Sequence, residues 1–382
     1  MKIIRLRSKK VREILTAESV TSGHPDKLSD LIADSILDAC LEQDPESRVA
    51  CEVLLTKGKA IVAGEITTRA TVDYFDIART VIEDVGYSTK GMDFEVHIHT
   101  QSPDIAQGVF KEGEQGAGDQ GIVYGYASDE TLNFMPLSVE LAHRLTERLE
   151  FCRVEGIIGG LLPDGKSQVS VEYENGRFSR IASITLSCQH RKEKAVDLLR
   201  KEVKEQVVDF VFRDIPLDDE TELLINPSGI FVLGGFDADT GLTGRKLMVD
   251  SYGGLAHHGG GAFSGKDASK VDRSGAYMAR YIAKNIVAAG LAGKCEVAIG
   301  YAIGRAEPTS LNITTFGTGK YADEKIKAAV LRVFDLKPHA IIEVLDLKQP
   351  VYAQTATGGH FGKEYLMWEQ LNQTDELLVA MN

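Results

Sequence analysis

Glycine and lysine crowd one stretch of this sequence: Gly253-Gly254, then GGGAFSGKD at 259–267, with Lys270 three residues on. Runs of glycine let backbone N–H groups close around an anion that side chains would otherwise exclude. Lys266 adds a point charge, and a helix predicted a few residues later turns its positive end toward a bound phosphate. The plainer reading is a mobile surface loop, but two lysines so close to the glycines favour phosphate. Gly260 to Lys266 satisfies GxxxxGK, yet Asp267 stands where a P-loop needs Ser or Thr to hold Mg²⁺. A P-loop-like phosphotransferase therefore remains only as a rival. GLTGRK at 241–246 ends in Arg245 and Lys246, and Lys166 follows Asp164 and Gly165. Singly these are surface turns; together they supply the positive charge a triphosphate requires.

Carboxylates stand at two helix entries. His24-Pro25-Asp26 opens one helix and Asp272 opens another, whereas Asn133-Phe134-Met135-Pro136 opens a third without an acid. Such residues can simply stabilise a helix end by about 1 kcal/mol or less. If the two helices face one cleft, Asp26 and Asp272 could instead each hold one Mg²⁺ on a shared polyphosphate. Glu52 and Glu65 interrupt otherwise apolar strands, which usually marks the wet face of a strand. Glu65, between Gly64 and Ile66-Thr67-Thr68, could also receive an ammonium group. The segment 101–121, with Lys111, Glu112, Gly113 and GAGDQG at 116–121, has no clear period and reads as disorder or as a lid.

The elements that must carry these residues follow from periodicity. Leu28, Leu31, Ile32, Ser35, Ile36, Ala39 and Cys40 fall at helical spacing. Residues 49–55 alternate, Lys57-Gly58 turns, and 60–67 return as a strand. A helix over 74–85 stopped by Gly86 and a strand at 93–99 complete this set. The same order recurs with a helix at 136–150, strands at 168–174 and 177–187 around Asn175-Gly176, a helix at 192–208 and a strand near 222–226. A third round runs from a helix at 272–289 through strands at 295–303 and 309–316 to a helix at 322–334. The expectation is an α+β fold of three similar units in pseudo-threefold arrangement, each with helices packed on a mostly antiparallel sheet. The segments are expected at 11–104, 115–232 and 233–371.

Composition narrows the class. The 382 residues are 43% hydrophobic and 26% charged, a profile of globular domains, and the net charge of −13 argues against general nucleic-acid binding. The basic start (Lys2, Arg5, Arg7, Lys9, Lys10, Arg12) reads as a solvated tail rather than a nucleic-acid arm or a secretory signal. No apolar run approaches the ~20 residues a membrane-spanning helix needs. Five scattered cysteines, Cys40, Cys51, Cys152, Cys188 and Cys295, suit free thiols in a reducing, cytoplasmic setting.

In order, GHPDK (23–27), GEITT (64–68), QSPDI (101–105), GAGDQG (116–121), GLTGRK (241–246), GGGAFSGKD (259–267) and KVDRS (270–274) resemble the S-adenosylmethionine synthetase family. The likeness runs from about residue 13 to 370. It implies synthesis of S-adenosylmethionine from ATP and L-methionine, then hydrolysis of the tripolyphosphate to phosphate and diphosphate. It implies that His24 and Lys166 contact the ATP phosphates and assist the chemistry, with Arg245, Lys246 and Lys266 on the triphosphate. Asp26 and Asp272 would each ligate one of two Mg²⁺ ions, and Glu52 matches a K⁺-site glutamate. Glu65, Gln101 and Lys270 match methionine contacts, Asp119 lines the site, and Asp239 touches both substrates. Asp164, Phe231 and Ala262 match nucleotide contacts, and residues from about 101 to 115 match a mobile gate. The family builds homodimers with shared sites, often paired as homotetramers. Two departures stand out: Ile230 where members commonly carry Arg, and Gly235-Phe236-Asp237-Ala238 ahead of Asp239 without the usual Pro and Gly.

Such an activity needs no catalytic base. A thioether sulfur is already nucleophilic, so the demands are alignment with C5′ and stabilisation of the leaving triphosphate. Phosphotransfer would instead yield ADP, and a non-catalytic nucleotide-binding or scaffold protein would bind ATP without methionine-dependent phosphate release.

Overall fold

The computed structural model describes residues 11–100, 110–111 and 114–382. The chain opens with β1 (Arg12–Val20), α1 (Pro25–Gln43), β2 (Arg48–Thr56), β3 (Lys59–Thr67), α2 (Tyr74–Val85) and β4 (Asp93–His99). Two short strands, β5 (Phe110–Lys111) and β6 (Glu114–Gln115), pair with each other. Next come β7 (Gly121–Ser128), α3 (Leu137–Val154), β8 (Leu161–Glu174), β9 (Arg177–His190), α4 (Val196–Val203) and β10 (Glu222–Ile225). The last part holds β11 (Gly241–Leu242), α5 (Val271–Ala288), β12 (Lys294–Tyr301), β13 (Ser310–Thr314), α6 (Asp323–Val333), α7 (Pro338–Val344) and α8 (Thr374–Ala380).

Three sheets share one plan. Their strand orders are β11-β2-β3-β4, β1-β8-β9-β10 and β7-β12-β13. In each, a leading strand pairs antiparallel with a hairpin, and in the first two a final strand joins parallel to the hairpin's far arm. The expected α+β fold of three similar units holds. What periodicity missed is that every leading strand comes from another third of the chain. β1 lies in the middle sheet, β7 in the last sheet and β11 in the first.

Apolar faces set the layers. On α1, Leu28, Ile32, Ile36 and Cys40 are fully buried, and they join the inward residues of β2, Val49, Cys51, Val53 and Leu55, in one core. α5 is buried on nearly every side, as expected for a helix enclosed by other elements. Its buried Arg280 and Lys284 both reach the carboxylate of Glu369, at 2.9 and 2.8 Å. A second core gathers α3, β8, β9 and α4.

Several expected boundaries shift, two of them at element starts. The helix expected at 192–208 starts at Val196 and, after Val203, widens into one π-turn over Lys204–Val208. β8 begins at Leu161, not 168, so Lys166 lies inside a strand, opposite Val20 on β1 and Ser187 on β9. Pro163, Asp164 and Gly165 disguise that strand in the sequence, and a register shift between Leu161 and Gly165 accommodates them. No helix of the described residues is long and apolar enough to cross a membrane.

Candidate active site

The first group of site residues forms where α1 begins. Here the helix is capped by His24, whose Nδ1 accepts the Asp26 backbone N–H at 3.2 Å. Asp26 is thereby free of capping and points away from its own helix. Its Oδ1 accepts the Leu242 N–H at 3.0 Å, its Oδ2 takes the Lys246 ammonium at 2.5 Å, and the Arg245 Nε lies 3.6 Å from Oδ1. GLTGRK is therefore docked on Asp26 rather than being a free surface turn. Ahead of His24 the chain passes so close to β8 that a Cβ on Gly23 would lie 2.4 Å from Pro163. That approach brings Asp164 and Lys166 alongside His24.

Electrostatics fix the state of His24. It is 2% exposed, and burial, then the charges of Lys246 and Lys166, push its pKa down to about 3. The ring is neutral near pH 7. Because Nδ1 accepts a hydrogen bond, the proton resides on Nε2, which can donate to an anion.

Beside this group, Asp164 Oδ2 accepts the Gly235 N–H at 2.8 Å, while its buried Oδ1 lacks a partner among the described residues. Burial raises the Asp164 pKa. The bond to Gly235, with Tyr87 packed 4.9 Å from Phe236, sets the path of 235–239 despite its missing Pro and Gly. Asp239 ends that turn, exposed, with its N–H on the Gly235 carbonyl at 3.0 Å. Phe231 is half-buried; its carbonyl accepts the His190 N–H at 2.8 Å and its own N–H donates to His190 Nε2 at 3.1 Å, while the Ile230 side chain is exposed.

A second group gathers where α5 begins. Lys266 Nζ lies 2.8 Å from Asp272 Oδ2. The backbone around Lys266 pairs with β2: Cys51 N–H reaches the Gly265 carbonyl at 2.9 Å, and Lys266 bridges Ala50. Lys266 thus shares a face of the first sheet with Glu52 and Glu65, which stand two residues from Ala50 on β2 and opposite it on β3. Both glutamates are exposed. Gly261 touches Asp272 so closely that a Cβ there would lie 2.2 Å from Oδ1. Asp119, exposed, precedes β7 just before Gly121, whose own Cβ position lies 3.8 Å from Asp272 Oδ1.

Asp267 decides against the P-loop. Burial would raise its carboxyl, but the Lys270 ammonium and hydrogen bonds from Lys270, Ser269 and Val49 hold it below the usual range. Its oxygens serve Val49 N–H at 2.6 Å and Ser269 N–H at 2.8 Å. The residue that replaces the P-loop Ser/Thr is thus spent on holding the loop to β2. Lys270, expected at methionine, is paired with Asp267.

Each candidate metal carboxylate is single, and each carries a lysine from a glycine-rich segment. Among the described residues no three His, Cys, Asp or Glu gather as a metal cage. Mg²⁺ is commonly held by one or two carboxylates plus substrate phosphates and water, and this donor set fits that mode. The two groups meet at one point, where a Cβ on Gly244 would lie 2.5 Å from that of Ala262. Gln101 and most of the expected gate lie outside the described residues. The periodicity reading also overlooked Asp30 and Asp34 of α1, although their four-residue spacing from Asp26 was a visible signal.

Three family models match the chain in sequence order. The S-adenosylmethionine synthetase N-terminal domain matches residues 12–107, the central domain 114–231 and the C-terminal domain 233–370. The repeated units and the docked glycine-rich segments thus coincide with matches along almost the whole length, and the chain belongs to the S-adenosylmethionine synthetase family, as a methionine adenosyltransferase that makes S-adenosylmethionine.

Proposed function

We propose that the reaction is an in-line displacement in which the methionine sulfur attacks C5′ of ATP and the whole triphosphate departs. The sulfur lone pair forms the new C–S bond, and the electrons of the C5′–O bond leave with the triphosphate. One observation carries the reading: Asp26 and Asp272 are each already neutralised by a lysine, Lys246 and Lys266, from a different glycine-rich segment. Such pairs can open to receive a polyphosphate, its anionic oxygens taking the lysines while the carboxylates turn to Mg²⁺. Bound there, Mg²⁺ would neutralise the developing charge. Lys166 and Arg245 add positive charge, and neutral His24 donates from Nε2. Asp164 Oδ1, which lacks a partner among the described residues, offers an acceptor to the nucleotide, with Phe231 and Ala262 nearby in the same reading. Glu65, Gln101, Asp119, Asp239 and Lys270 are assigned to methionine and Glu52 to K⁺ on the resemblance. The segments 11–104, 115–232 and 233–371 and a cytoplasmic setting belong to the same reading.

The test is incubation with ATP, Mg²⁺, K⁺ and methionine, followed by identification of products by mass. Adenosyl transfer gives phosphate, diphosphate and a sulfonium compound; ADP would support the phosphotransferase instead. The family resemblance suggests a dimer, and in this reading each site combines the Asp26 group of one protomer with the Asp272 group of its partner. Co-expressed Asp26→Asn and Asp272→Asn chains should then recover about a quarter of wild-type activity, since random pairing leaves that share of sites intact. No recovery in a mixed dimer would place each site within one chain.

A further inference from the structure

α1 carries aspartates at every fourth position, Asp26, Asp30, Asp34 and Asp38, which stack along one face at about 6 Å per step. Each accepts backbone N–H groups from a distant loop. Asp26 holds Leu242 and Asp30 holds Gly244, at 3.0 and 2.8 Å; both lie in GLTGRK. Asp34 holds Gly265 at 2.8 Å, in GGGAFSGKD, and Asp38 holds Tyr352 and Ala353 at 2.9 and 2.8 Å. Asp30 and Asp34 are fully buried. Asp30 also takes Lys27 Nζ at 3.0 Å, and Asp34 receives Arg273 through both terminal nitrogens, at 2.8 and 2.9 Å.

This pattern does more than satisfy buried N–H groups. Gly244 immediately precedes Arg245 and Lys246, and Gly265 immediately precedes Lys266. A carboxylate so near a polyphosphate would repel it, but Arg273 neutralises Asp34, and Asp30 shares the Lys27 ammonium with Asp250, which lies 2.5 Å from it. We propose that Asp30 and Asp34 are positioning residues that fix, through Gly244 and Gly265, where the triphosphate-binding cations Arg245, Lys246 and Lys266 stand. The inference rests on the functional reading above. It adds that each chain's α1 sets in advance the cations that chain contributes to the grip on the leaving group, so that little ordering remains when polyphosphate binds.

Magnesium tripolyphosphate binding, followed by calorimetry, tests the inference directly. Asp30→Ala should weaken it by about 10-fold or more, and Asp30→Asn, which keeps a carbonyl acceptor, should recover most of that loss. Asp38→Ala serves as the control, because it frees loop N–H groups that lead to no phosphate-binding cation. It should cost thermal stability yet leave the affinity within about twofold of wild type. The KM for methionine should stay near wild type in Asp30→Ala while kcat falls, a split that loss of folded protein alone does not produce. Equal tripolyphosphate affinity in wild type and a folded Asp30→Ala would overturn the inference alone. No binding by wild type would bring down the functional reading and this inference together. Should Asp30→Ala not fold, hydrogen exchange on ligand-free wild type decides: amides around Gly244 and Gly265 must exchange as slowly as those of α1, and rapid exchange overturns the proposal.

Discussion

At the scale of single residues, the site works by placing charge and by keeping one imidazole uncharged. Lys166 is exposed on β8, and its side chain makes no hydrogen bond or ion pair among the described residues, so its removal should leave the fold intact. Its charge nonetheless reaches His24, whose proton affinity it lowers. Lys166→Met is expected to slow adenosyl transfer on the order of 10²-fold, the usual effect of deleting one aimed charge. Near-normal turnover would remove Lys166 from the mechanism. His143 governs stability instead. Its Nδ1 meets Ser19 Oγ at 2.9 Å, its Nε2 lacks a partner among the described residues, and burial, then Lys363 and Lys27, holds its pKa down to about 3. Folded His143 is therefore neutral where the unfolded chain, titrating near 6.5, already binds a proton. The folded state then loses stability as pH falls from about 6.5 toward 3, and keeps that contribution in full above the unfolded value. Urea midpoints measured across that range should fall less steeply for His143→Gln than for wild type, and identical slopes would assign the proton uptake elsewhere.

At the scale of elements, β2 organises the site through its outer edge. Leu242 and Thr243 pair with its C-terminal half and Gly265 to Asp267 with its N-terminal half, so both glycine-rich segments hang from one strand. Thr243 Oγ1 accepts the Val53 N–H at 2.8 Å in a buried setting. Thr243→Val leaves that donor unsatisfied and should cost about 1–3 kcal/mol in denaturant unfolding. It should also loosen the segment carrying Arg245 and Lys246; an unchanged midpoint would mean the edge pairing needs no side-chain support. β2, β3, α1 and α2 were legible because one apolar face repeats at period 2 or 3.6. β11 was not, since two residues carry no period and the free edge of β2 defines it. β7 hid behind glycines in GIVYGYAS and the aperiodic stretch before it. The cations of the site were legible from their glycine neighbours, but their pairing with Asp26 on α1 and Asp272 on α5 depends on which loops meet those helices. Asp30 and Asp34 fall outside the apolar pattern that marks the helix, and they are buried because α1 is covered on that side by loops from the far end of the chain.

At the scale of the whole molecule, the three units are tied by a cyclic exchange of leading strands. One core joins α1, α2, β2 and β3 with α5, β12, β13 and the last helices; the other belongs to α3, β8, β9 and α4. Separate cores would ordinarily permit separate unfolding. Here the nine residues of β1 leave the start of the chain to pair with β8, and the eight of β7 leave the middle to pair with β12. Neither core can come apart without stripping a strand from its sheet and exposing a row of unpaired backbone groups. Calorimetry should therefore give one transition whose calorimetric and van't Hoff enthalpies agree. Leu28→Ala in the first core and Leu186→Ala in the second should each cost about 2–5 kcal/mol, because both side chains are fully buried. Each substitution should lower that single transition as a whole. Two resolved transitions, with the earlier one moved by Leu186→Ala and the later one untouched, would show that the exchanged strands leave the cores thermodynamically independent.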